Sequence, residues 1–110
     1  MDFVQMSTTI DSGVGAQKIA DHLVEHRLAA CVQVTGPVRS TYRWQGEVER
    51  SEEYMCFIKT RRELTANVEA AIHLLHPYDN PEIIVVAIDG GSAEYLAWIG
   101  SETTTNESDR

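Results

Sequence analysis

The chain has 110 residues, 43% of them apolar, and a formal net charge of −8, which fits one small globular domain. This charge argues against partners such as nucleic acid or an anionic membrane surface, whose phosphates would be repelled. It is compatible with cation binding, although acidic surfaces commonly serve solubility. No apolar run approaches the ~20 residues that span a bilayer, and no signal peptide is visible. The two cysteines are therefore expected to be reduced thiols in the cytoplasm.

The first third of the chain is typical of a strand, a helix and a second strand. Alternating side chains predict a strand over residues 3–9. Apolar side chains at helical spacing predict a helix over 16–27, followed by a buried strand over 28–34. His22 and His26 share one face of the helix, a spacing that can bind a metal. Their charged neighbours favour a solvated face instead.

A long hairpin follows. Residues 38–44 continue the preceding strand past Gly36-Pro37, and residues 47–59 form the returning arm. The two arms are joined at Gln45-Gly46, where glycine tolerates the positive φ of a tight turn. With ~13 residues, each arm would span about 40 Å, and two modest helices cannot cover that length. Because the projecting tip carries aromatic residues, we expect it to pack on neighbouring subunits of a closed ring. The alternative is a bulge at Gly36-Pro37 that folds the arm back in a monomer.

The second half of the chain begins with a helix that ends at His76, three residues after His73. Pro77 and Pro81 then make a stiff corner, because proline fixes φ and lacks an N–H donor. The β-branched run 83–88 predicts a strand that is covered on both faces or buried between chains.

A short helix is predicted over residues 93–100, after the turn residues that follow the last strand. The polar segment 101–110 is expected to be a disordered tail, which leaves residues 1–100 as a single domain. The order β-α-β-β-α-β with a closing helix predicts an α+β fold of the ferredoxin-like type. That fold is an antiparallel sheet with two helices on one face, and right-handed crossovers place its first and third strands side by side.

Five short motifs stand in a recognisable order along residues 3–100. They are Leu28-Ala29-Ala30-Cys31-Val32, Tyr42-Arg43-Trp44-Gln45-Gly46, Ile58-Lys59-Thr60-Arg61, His76-Pro77-Tyr78 with Pro81-Glu82-Ile83, and Tyr95-Leu96-Ala97-Trp98-Ile99. Together they resemble the CutA family of divalent-cation tolerance proteins. The resemblance implies a ferredoxin-like homotrimer built by pairing long strands between subunits, and a response to copper and other divalent metal ions. It also implies a likeness to the trimeric PII signal-transduction proteins.

The metal site implied by the resemblance is only partly present. In some bacterial relatives, copper binding is attributed to a first-strand cysteine and a His-His pair before Pro-Tyr. Here the first strand lacks a cysteine, and Leu75 precedes His76. Cys31 is a second candidate ligand, although a strand cysteine commonly packs as a small hydrophobe. His76 and Cys31 are thus the predicted metal ligands, with Cu(II) or another divalent cation as the candidate ion and no cofactor required.

A second predicted site is a ligand cleft formed by Trp44, Lys59, Tyr78 and Glu82. Lys59 ends the hairpin and Glu82 begins the last strand, while Trp44 could arrive from a neighbouring subunit's hairpin. One ammonium, one carboxylate, one phenol and one indole would suit a small polar ligand. The alternative is an interface salt bridge with aromatic packing.

No catalytic residues are predicted, because the sequence lacks a nucleophile triad, a phosphate loop and a C-x-x-C motif. The first functional hypothesis is a non-enzymatic cytoplasmic homotrimer that binds or responds to divalent cations. The second is a PII-like small-ligand sensor or interaction hub that uses its intersubunit clefts. A third is an enzyme that uses Lys59 and Glu82.

Overall fold

The structure, a computed structural model, describes residues 2–104. None of the helices within this range is long and apolar enough to cross a membrane. The elements in chain order are β1 (Phe3–Ile10), α1 (Gly13–Glu25), β2 (Cys31–Trp44), β3 (Glu47–Arg61), a 3-10 turn (Arg62–Leu64), α2 (Thr65–Leu75), β4 (Ile84–Ala87) and α3 (Ala93–Glu102).

The four strands form one sheet in the order β2-β3-β1-β4, and each neighbouring pair is antiparallel. On β1, Met6 lies opposite Ile58 of β3 on one side and opposite Val85 of β4 on the other. The predicted adjacency of the first and third strands is therefore confirmed, as is the α+β class with its antiparallel sheet.

One face of the sheet packs with α1 and α2 to form the core. Side chains alternate between the faces of a strand, so Val4, Met6 and Ile58 share the face that contacts these helices. The buried helix residues in this cluster are Ala16, Ile19, Leu23, Val68, Ala71 and Ile72. Cys56 lies in the same core, where burial raises the pKa of its thiol to about 11. That cysteine is therefore a packing residue rather than a reactive thiolate.

β2 and β3 form the long hairpin that the sequence predicts, with Gln45 and Gly46 in its turn at φ values of 50° and 82°. The register shifts between Thr35 and Val38, so the bulge that the sequence analysis gave as the alternative to assembly is present. Gly36 within it has a φ of 151°, and a Cβ there would lie 2.6 Å from the Tyr54 ring. Glycine is therefore needed at this position. Residues 38–53, called the arm below, lie beyond the bulge.

The C-terminal end differs from the predicted tail, because α3 continues to Glu102 and Thr103 is buried. Arg61 accounts for this order. Its guanidinium donates hydrogen bonds to Thr103 Oγ1 (2.8 Å), to the Thr103 carbonyl (3.0 Å) and to the Gly100 carbonyl. Basic side chains commonly satisfy the free carbonyls at a helix C-terminus in this way. Residues 105–110, also part of the predicted tail, lie outside the described residues.

We expect Arg61→Ala to lower the free energy of unfolding by about 1–3 kcal/mol, because partly buried carbonyls lose a charged donor. Denaturant unfolding measures the loss, and hydrogen exchange should speed up in α3. Arg62→Ala is the matched control, because its 3.7 Å ion pair with Asp2 is exposed and contributes less than ~1 kcal/mol. Equal losses in the two variants would contradict the role of Arg61.

Candidate functional site

The sheet face opposite the core, called the open face below, carries the side chains that alternate with the core residues. α3 contacts it at the Arg61 end. Two of its β4 residues are well exposed, Ile84 at 48% and Val86 at 56%. The register places on this face Phe3, Gln5, Ser7, Thr9, Met55, Phe57, Lys59, Ile84 and Val86. The prediction that β4 is covered on both faces is therefore wrong within one chain, which leaves the alternative of burial between chains.

A cavity of about 770 Å³ lies between the arm and the proline corner. The register shift between Thr35 and Val38 lies at the base of the arm, and bulges of this kind commonly bend the strand that carries them. The residues that line the cavity are Thr9, Ser40, Thr41, Tyr42, Trp44, Glu53, Tyr78, Asp79, Asn80, Pro81 and Glu82.

The structure brings together three of the four residues predicted for a ligand cleft. Trp44, Tyr78 and Glu82 all line the cavity. Trp44 comes from the same chain, whereas the sequence analysis took it from a neighbouring subunit. A single chain therefore builds a pocket that contains an indole, a phenol and a carboxylate.

Lys59 does not line this cavity, which corrects the predicted site. It lies opposite Gln5, and Gln5 lies opposite Val86. Glu82 precedes Val86 by four residues, or about 13 Å of extended chain. The register thus places Lys59 away from Glu82, which precedes β4, and the Lys59 ammonium donates instead to Gln33 Oε1 at 2.5 Å.

Glu53 is a cavity residue that the sequence analysis missed. Its side chain is only 7% exposed, and its Oε2 accepts a hydrogen bond from the Tyr78 hydroxyl at 3.0 Å. Burial, and then this hydrogen bond, raise the pKa of Tyr78 well above its usual value. The phenol is therefore a permanent donor to the Glu53 carboxylate at physiological pH.

His76 is held by hydrogen bonds at both ring nitrogens. The backbone N–H of Tyr78 donates to Nδ1 at 3.2 Å, so Nδ1 must carry the lone pair. Nε2 then carries the proton, and it donates to the Thr9 carbonyl at 2.7 Å. In this neutral tautomer neither nitrogen offers a free lone pair to a metal. The imidazole thus joins the corner to the end of β1.

Cys31 does not reach His76. It lies opposite Lys59, which lies opposite Gln5, four residues or about 13 Å along β1 from the Thr9 that binds His76. The two predicted ligands therefore do not fit a shared cation. Within residues 2–104, no group of three or more His, Cys, Asp or Glu side chains is arranged to hold a metal ion.

The sheet, its helices and the cavity between arm and corner define a small α+β protein whose open face and edge strands suit partner binding. The family model described as CutA1 divalent ion tolerance protein matches residues 4–102, and the chain belongs to this family. The predicted resemblance is thereby confirmed.

Individual proteins of known sequence or known structure are also similar to this chain and support its membership of the family. The divalent-cation tolerance protein CutA of Thermus thermophilus is 41% identical over 86% of this chain and 92% of its own length. The crystal structure of CutA1 from Oryza sativa matches with a TM-score of 0.94 at 29% identity, covering 96% of this chain and 97% of that one. The CutA structure from Xylella fastidiosa gives 0.92 at 38% identity, covering 94% and 100%.

Proposed function

We propose that this CutA-family chain forms a homotrimer of ferredoxin-like subunits that supports tolerance of copper and other divalent cations in the cytoplasm, without catalysing a reaction. Family membership supports the general role in divalent ion tolerance. The strand order β2-β3-β1-β4 supports the ferredoxin-like assignment. The proposal of an assembly rests on the apolar surface that a single chain leaves exposed.

That uncovered surface includes both edges of the sheet. β4 is exposed along its whole length, and β2 is exposed over most of its length. Edge strands with unpaired N–H and C=O groups are templates for pairing with another chain. The two free edges belong to different strands, so joining β2 of one copy to β4 of the next is a head-to-tail contact. Such contacts form a closed ring where the rotation between copies closes and an open filament where it does not; the closed ring and the number three follow from the family resemblance.

Calorimetry with Cu(II) on the assembled protein tests the cation role. We expect saturable binding that survives Cys31→Ser, because Cys31 and His76 do not reach one ion. We also expect both hydrogen bonds of the His76 ring to persist when Cu(II) is bound. The absence of saturable heat with Cu(II) and with other divalent cations would contradict the proposed cation binding.

A control for adventitious binding is the His22→Gln, His26→Gln double variant. These two imidazoles stack on α1 with ring centroids 4.1 Å apart, and a pair at this spacing can bind a metal by itself. Loss of the Cu(II) heat in the double variant would place the binding on the helix surface and argue against a site of the assembled protein.

A second candidate function is a small-ligand site of the PII-like kind, and the cavity between arm and corner favours it. Its volume of about 770 Å³ falls within the range of about 300–1,000 Å³ that is typical of ligand pockets. Aromatic walls with a few polar groups are also typical of such sites.

A further inference from the structure

The two edges of the sheet carry opposite charges. The edge strand β2 contains Arg39 and Arg43 and no carboxylate. The edge strand β4 contains no charged residue, and residues 77–89, which include β4 and its flanks, contain no lysine or arginine. The carboxylates of these flanks are those of Asp79, Glu82 and Asp89. One edge of the subunit is therefore basic and the opposite edge is acidic.

The charged groups of the two edges are accessible to a partner. Arg39, Arg43, Asp79 and Glu82 are all exposed, and none of them belongs to the ion pairs closer than 4 Å in the described part of the chain. The carboxylates of the arm, including that of Glu52 opposite Arg39, belong to β3, one strand or about 4.8 Å further from the edge. Exposed charges of this kind commonly decide which protein surfaces meet.

The register places the basic and the acidic segments at the same end of the sheet. Gln33 of β2 and Ile84 of β4 belong to one row of residues across the four strands. Beyond this row β2 continues into the arm, and the chain before Ile84 forms the proline corner. Residues of the arm and of the corner line one cavity, so the corner stands level with the arm.

A second copy that continues the sheet keeps these ends together. All three strand pairs are antiparallel, and β2 and β4, three pairs apart, therefore run in opposite directions. Placing β4 of the next copy antiparallel along β2 extends the same pattern. The arm of one copy then passes the corner of the next, which sets the two guanidinium groups beside the corner carboxylates.

Contacts between like edges set equal charges against each other. Pairing β2 with β2 would bring the guanidinium groups of both copies together, and pairing β4 with β4 would bring together the carboxylates of its flanks. Like charges that meet at an interface disfavour it. The side chains of β4 are apolar and uncharged, so they do not distinguish one exposed edge from another. The flanking charges make that distinction.

We propose that these charges select the partner of each edge, which is the opposite edge of a second copy of this chain. Arg39 and Arg43 of β2 lie against the Asp79 and Glu82 carboxylates of the next copy, and pairing of like edges is repelled. The inference rests on the proposed assembly and deepens it, because it names the groups that choose the head-to-tail contact.

The test exchanges the charges of the two edges on the full chain. The Arg39→Glu, Arg43→Glu variant has two acidic edges, and the Asp79→Arg, Glu82→Arg variant has two basic edges. Each should dissociate at a concentration about tenfold or more above that of the parent. The variant with all four substitutions has opposite edges again, and should dissociate at the parent's concentration. Light scattering over a dilution series, in urea below the unfolding transition, measures these concentrations.

Two controls keep the test independent of how well each variant folds. Lys18→Glu reverses an exposed charge on α1, away from both edges, and should leave the dissociation concentration unchanged. For the parent protein, added salt should raise the dissociation concentration, because salt screens attraction between exposed charges.

The possible outcomes separate the edge charges from the assembly itself. A parent that assembles, but whose dissociation is insensitive to salt and to the Arg39→Glu, Arg43→Glu change, would keep the assembly and overturn the role of the charges. The same holds if the variant with all four substitutions assembles no better than the two separate variants. A parent that is a monomer at every concentration, or a dimer of like edges, would overturn both proposals.

Discussion

A Val86→Asp variant is expected to run as a monomer of 12.3 kDa, while the unmodified protein runs at three times that mass. Val86 lies on the open face of the edge strand β4 and is 56% exposed in one chain. In the proposed ring it packs against the next copy, where a carboxylate without a partner is strongly unfavourable. Light scattering on a sizing column at micromolar concentration measures the mass. The melting temperature should also fall, because assembly stabilises the folded chain.

Val14→Asp is the matched control for this substitution. Val14 is 69% exposed on α1, and it belongs to neither edge strand. The same change of side chain there should leave both the mass and the melting temperature as they were. A Val86→Asp protein that keeps the mass and melting temperature of the parent would show that the open face of β4 is not an interface.

Local signals explain why most of the fold could be predicted. The Gln45-Gly46 turn, the alternation in the hairpin and the helical spacing of apolar residues each lie within a few neighbouring positions. The order of residues 101–104 could not be found in this way. It depends on Arg61, about 40 residues earlier, whose donors reach the Gly100 and Thr103 carbonyls. Composition alone made this segment look like a tail.

The candidate site could be predicted only in part, because register decides which residues meet. Lys59 and Glu82 were paired because both lie in one sheet, yet the register separates them. Glu53 was missed because it stands in the charged run Ser51-Glu52-Glu53, which is typical of solvent-exposed chain. The alternation that puts Met55 on one face also puts Glu53 there, and that was the available signal.

His76→Ala is expected to lower the free energy of unfolding by about 2–4 kcal/mol, because it leaves two backbone groups without partners. These are the Thr9 carbonyl and the Tyr78 N–H. The ring also packs against Tyr78, with centroids 4.6 Å apart. The loss should therefore extend to the Tyr78–Glu53 hydrogen bond. Denaturant unfolding measures the free energy, and His73→Ala on the same helix is the control, since its 3.5 Å contact with Glu69 is exposed.

Two conservative variants separate the contributions that the two ring nitrogens of His76 make to stability. Asparagine can place an oxygen near the position of Nδ1 and so keep the bond from the Tyr78 N–H. Glutamine can place an amide N–H near Nε2 and so keep the bond to the Thr9 carbonyl. Each variant should recover part of the stability that alanine loses, because each satisfies one of the two groups. A metal-ligand role predicts the opposite pattern: EDTA would destabilise the parent protein, and neither amide would recover any stability. We expect EDTA to leave the melting temperature unchanged, because the imidazole is held by the fold and not by an ion.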